Sequence, residues 1–122
     1  MSYPMTPPGK ELSLRLLDRV TYADRLAAGR LLPPVGIIPG HVRSLQELHL
    51  LLAPDVRSLP GINLNALADW IGGIIGDGEL ADAVRVVTRD AGSYAESCLK
   101  VYELVGLRLE QARDRAGQED TA

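Results

Sequence analysis

Apolar residues recur every three or four positions through most of this chain, and that spacing predicts helices. The first pattern covers about residues 10–28, with Leu12, Leu16, Val20, Ala23 and Ala27 on one side and Gly29 placed to end it. A second covers about 44–53, where Leu45, Leu48, Leu51 and Leu52 follow Ser44. Ser44 and Glu47 make a capping-box pattern, in which the hydroxyl accepts from the Glu47 N–H and the carboxylate returns to the Ser44 N–H. The third, about 63–75, carries Leu64, Leu67, Ala68, Ile71, Ile74 and Ile75. Gly76-Asp77-Gly78 then turns the chain, with Asp77 available to cap a fourth helix over about 79–90 that buries Leu80, Ala81, Val84 and Val87. The fifth, about 93–115, opens on a second capping pair, Ser93 with Glu96. It sets Cys98, Val101, Tyr102, Val105, Leu109 and Ala112 in one stripe.

Between the first two patterns lies a Pro/Gly-rich apolar connector, residues 29–43. Pro33, Pro34 and Pro39 preclude a helix there, and Val35 to Ile38 could add at most a short strand. Such a segment needs cover, either from the chain's own helices or from a second chain. Residues 54–62, with Pro54, Pro60 and Gly61, form another connector. Residues 1–9, holding Pro4, Pro7, Pro8 and Gly9, read as an extended N-terminal arm, and the polar residues 117–122 as a frayed tail. The expectation is an all-α fold, a five-helix small bundle in a single domain spanning 1–122.

Composition sharpens this picture. A content of 46% hydrophobic and 24% charged residues suits a globular chain, and 122 residues suit one domain. With no Phe and one Trp, the core must be aliphatic. The net charge of −3 names no partner. Residues 1–62 carry seven Lys/Arg against five Asp/Glu, and residues 63–122 six against eleven; these read as solvated helix faces. A single cysteine excludes an internal disulfide, no secretory pattern is visible, and no apolar run approaches the ~20 residues of a membrane span, so a cytoplasmic location is expected.

Few residues offer chemistry. The run from Gly72 to Gly78 resembles a phosphate cradle but lacks the preceding strand and the GK[ST] ending, so its glycines read as close helix packing. His41 and His49, with a distant Cys98, do not supply three or four convergent metal ligands. His49 is expected on the polar face of its helix, and His41 bonded to backbone near the turn. Cys98 lies on an apolar stripe and reads as a small hydrophobe. Asp77, Glu79 and Asp82 complement a helix N-terminus, while Arg108, Glu110, Asp114 and Arg115 are expected on the solvent side of the last helix.

Residues 43–85 resemble an uncharacterised family of bacterial and archaeal helical domains, in which an N-x-x-A-x-W-[IV] stretch leads to a G-D-x-x-L-A turn. The matching residues are Asn65, Ala68, Trp70, Ile71, Gly76, Asp77, Leu80 and Ala81, with Arg43 to Leu48 fitting the preceding helix. The resemblance implies helices and no activity.

These readings lead to a non-catalytic accessory or scaffold subunit, assembling with itself or as the small subunit of a larger complex. No cofactor, metal or catalytic residue is assigned. The expected partner contacts are Leu31, Leu32, Val35, Ile37 and Ile38 in the connector, and Leu104, Gly106 and Leu107 on the last helix. One alternative is a DNA-binding regulator using the third and fourth helices, disfavoured because residues 78–90 sum to −1 around Arg85, Thr88 and Arg89. The other is a small-molecule module holding Trp70, Tyr102 or His41.

Overall fold

A computed structural model of the chain describes residues 5–118. Five helices are present: α1 (Lys10–Leu17), α2 (Leu45–Leu52), α3 (Leu64–Trp70), α4 (Gly78–Asp90) and α5 (Tyr94–Ala116). So are five strands: β1 (Leu26–Ala27), β2 (Gly29–Leu32), β3 (Gly36–Ile38), β4 (His41–Val42) and β5 (Leu59–Gly61). The all-α expectation is therefore wrong. The protein is a mixed α/β fold, with 59% helix and 14% strand among the described residues and its strands in two antiparallel sheets.

Three of the five predicted helices hold nearly to the residue, because each has a working cap. Ser44 accepts from the Glu47 N–H and Ser93 from the Glu96 N–H, both at 3.1 Å, while Asp77 accepts from the Leu80 N–H at 3.1 Å. The reciprocal half of each capping box differs from expectation. The Glu47 carboxylate takes the Arg43 N–H and that of Glu96 takes the Gly92 N–H, one residue before the cap.

The first helix stops at Leu17, about eleven residues early. Gln46 donates to the Leu17 carbonyl at 3.2 Å, and the Val20 N–H reaches the Arg43 carbonyl at 2.7 Å, which ties the departing chain to the start of α2. Val20 and Thr21 are β-branched and suit an extended path. The apolar residues beyond them follow the two-residue period of a strand. Leu26 and Ala28 are buried with an exposed Ala27 between them.

The third helix also changes. After Trp70 the chain widens into a π-type turn over Ile71–Ile75, where the Ile71 carbonyl accepts from both Gly76 and Asp77. This sends Ile75 into the core and leaves Ile74 44% exposed. Gly76 closes the turn at φ 89°, a conformation in which a β-carbon would be strained.

The connector is a β-ribbon. β1 pairs with β4 and β2 with β3 in one shared register, so residues 26–42 form a single long hairpin kinked at Ala28–Gly29 and Pro39–Gly40. A β-carbon on Gly29 would lie 2.1 Å from the Ile38 carbonyl oxygen, so only glycine allows this crossing. β5, inside the second predicted connector, adds to the outer half and gives the order β3-β2-β5.

The core is aliphatic, as composition requires. Leu16, Leu45, Leu48, Leu67, Ile71, Leu80, Val84, Val101, Val105 and Leu109 are at most 1% exposed, and α5 packs against α1, α2 and α4. The inner half of the ribbon joins this core through Leu26, Ala28 and Val42. The outer half does not: every residue from 33 to 41 is exposed.

A polar knot with a buried centre ties the segment at Met5 and Thr6 to the start of α4 and to α5. Arg108, expected at the surface, is 2% exposed and grips the Asp77 carboxylate at 2.7 and 3.2 Å. Its guanidinium also donates to the Thr6 carbonyl and to Gln111, while Gln111 donates to the Met5 carbonyl and the Thr6 N–H to Glu79. The N-terminal arm is thus pinned at Met5 and Thr6, its first four residues lying outside the described part. At the other end Gly117 bonds back to Arg113, and residues 119–122 of the predicted tail are likewise outside it.

Candidate interaction site

The outer sheet carries its apolar side chains in rows. The pairs Leu31–Ile37 and Leu31–Leu59 put Ile37, Leu31 and Leu59 directly opposite one another across three strands, on one face. Ile37 is 66% and Leu59 39% exposed. The other face, with Arg30, Ile38 and Pro60, turns toward α2, where Ile38, Arg30, Leu50 and Leu51 line a shallow groove. At the hairpin tip Val35 is 73% exposed, and Val56 in the loop between α2 and β5 is fully exposed. Between tip and loop lies an open, mostly apolar groove of about 540 Å³, with Leu31, Leu32, Val56 and Leu59 in its wall.

One contact braces this sheet internally and another fixes it to the helical body. Arg30 donates to Ser58 at 3.3 Å, holding the loop against β2. Tyr94, at the start of α5, donates to the Pro60 carbonyl and accepts from the Ile62 N–H at 3.1 Å. Burial pushes the Tyr94 phenol up to about 12, so it keeps its proton at neutral pH and remains a donor.

The edge of the sheet can be read from its backbone. Pro60 has no N–H, so its pair with Arg30 is a non-hydrogen-bonded one, and Leu31 faces its bonding groups toward β5. Arg30 and Leu32 therefore bond to Ile38 and Gly36, and the close approach of the Ile38 carbonyl to Gly29 agrees. The Ile37 N–H and C=O are left pointing to the open edge. Among the described residues no charged side chain lies on that edge strand, whose defences against strand pairing are its three-residue length and Pro39.

The residues expected to meet a partner divide in two. Leu31, Leu32, Val35, Ile37 and Ile38 all lie on the protruding ribbon and are partly or fully exposed. Those on α5 do not form a second patch. Leu104 is 5% exposed in the core, Leu107 is half-buried, and Gly106 serves an internal contact. A β-carbon there would lie 2.8 Å from His49 Nε2, because the His49 ring stacks on Tyr102 at 4.4 Å. His49 thus sits between α2 and α5 instead of on a polar face, and burial with the nearby Arg113 charge lowers its pKa. Val56 and Leu59 went unnoticed in the sequence. The alternation that would have exposed them spans only three residues, and Pro60 masks it.

The remaining candidates are accounted for locally. His41 meets the Tyr22 ring edge-on at 5.4 Å, with Arg25 over the ring's face at 4.0 Å. Cys98 is 3% exposed beside Tyr94, and burial raises its thiol pKa, which works against reactivity. Arg85 is engaged by Asp69 and Asp82. Trp70 is buried and donates to the Asp24 carbonyl at 2.7 Å. Gly72 lies against the Ala81 β-carbon, whereas Gly73 faces open space. Among the described residues no group of three His, Cys, Asp or Glu is placed to hold a metal, and no helix is long and apolar enough to cross a membrane. No protein-family model matches the chain, nor does any curated protein or solved structure.

Proposed function

We propose that this protein is a non-catalytic assembly module that docks through the outer half of its β-ribbon. The observation carrying this reading is the outward row Ile37–Leu31–Leu59 beside an open strand edge, extended by Val35 and Val56. An apolar side chain fully removed from water contributes about 2 kcal/mol, so several together can offset the entropy of association. The ribbon stands away from the core, so a partner could cover it without disturbing the helices. The buried Arg108–Asp77 pair, the Tyr94 clamp and the stacked His49 are engaged in contacts within the fold.

The test compares wild type with Ile37→Lys in extract of the native host, reading apparent mass by gel filtration. Wild type should elute well above the mass of one chain and the variant near it. Helical circular dichroism should be unchanged, since Ile37 is outside the core. Identical elution of the two proteins would remove the ribbon from consideration.

A further inference from the structure

Resting on that assembly reading, we propose that the ribbon's occupant is a second copy of this chain, paired edge to edge through β3 about a two-fold axis at Ile37. Three observations favour a copy over an unrelated strand. First, the free edge offers one complete donor–acceptor set, the N–H and C=O of Ile37. Two antiparallel copies with Ile37 opposite Ile37 use both sets in two reciprocal bonds. Second, the next outward position toward the C-terminus is Pro39, which has no N–H. A longer foreign strand would lose a bond there, whereas the two-fold pair does not depend on it.

The third observation is charge. A two-fold axis sets each residue beside its own copy, so any charge near the axis repels itself. From Leu31 to Val42 there is no Asp, Glu, Lys or Arg. Pairing in this register also keeps side chains in line. The row Leu59–Leu31–Ile37 continues into Ile37–Leu31–Leu59 of the copy, turning two short aliphatic rows into one across a six-stranded sheet. The contact is small by the standard of stable dimers, so the association should be weak and reversible.

Sedimentation of the purified full chain over a low- to high-micromolar series tests this, beside Ile37→Lys and the control Leu99→Lys. Leu99 is 44% exposed on α5, so both variants add a cation at an exposed apolar site. Wild type and Leu99→Lys should shift from monomer to dimer as concentration rises, with Ile37→Lys staying monomeric. Register is read from Ile37→Cys. Directly opposed residues have α-carbons about 5.5 Å apart, within disulfide reach, so this variant should oxidise to a covalent dimer while Leu31→Cys does not. Wild type remaining monomeric throughout would overturn self-pairing, as would a dimer that Ile37→Lys leaves intact. If purified wild type is monomeric yet elutes at high mass in host extract, and Ile37→Lys does not, self-pairing fails and the assembly reading stands.

Discussion

Arg108 and Asp77 show what a single residue can do in this fold. Asp77 caps α4 through one oxygen, and both its oxygens receive the Arg108 guanidinium, which also reaches the arm at Thr6. Both side chains are almost wholly removed from water, and no buried side-chain nitrogen or oxygen among the described residues lacks a partner. Removing one member strands the other's charge in the interior. Arg108→Met should therefore cost about 3–5 kcal/mol, measured by urea unfolding, whereas breaking an exposed pair such as Arg85–Asp82 should cost far less. Equal small losses at the two sites would mean that Arg108 is not buried as described. The spacing from Val101 and Val105 places Arg108 on the apolar stripe, but its charge argues for solvent.

Among the elements, the capped helices α2, α4 and α5 were legible because side-chain hydrogen bonds write their starts into the sequence. The strands were not, for a physical reason: each is two to four residues long, too short to show a two-residue period. Their partners are contributed by chain reversal, and the paired prolines at the tip read simply as helix breakers. The first helix misled because Val20, Ala23 and Ala27 continue a helical spacing by coincidence, while the capture of Leu17 by Gln46 is invisible from sequence. The candidate site was half legible: the ribbon's apolar residues stood out, but their row with Leu59 requires the fold.

The α2–α5 seam carries a pH dependence of its own. Since the folded-state pKa of His49 is lowered, the unfolded chain takes up this proton first. The contribution is complete above the ordinary histidine value of about 6.5, is lost as pH falls below it, and levels off once the folded-state pKa is passed. Wild type should accordingly lose more stability between neutral pH and pH of about 5.5 than His49→Asn does, by chemical unfolding at each pH. Parallel profiles would place His49 outside the seam.

The whole molecule divides into a helical body, closed around an aliphatic core, and a ribbon whose inner half is anchored and whose outer half is bare. The anchors are Leu26, Ala28 and Val42 below the kink and the Tyr94 hydroxyl at β5. That bare outer half is the exposed apolar surface on which the proposed association rests. The most direct test is amide hydrogen exchange at Ile37, followed from dilute solution to the assembled state. The amide should exchange freely when the chain is alone and slow markedly on assembly, while the exposed face of α5 around Leu99 stays unchanged. Protection arising on α5 with Ile37 exchanging freely throughout would contradict the ribbon as the docking surface.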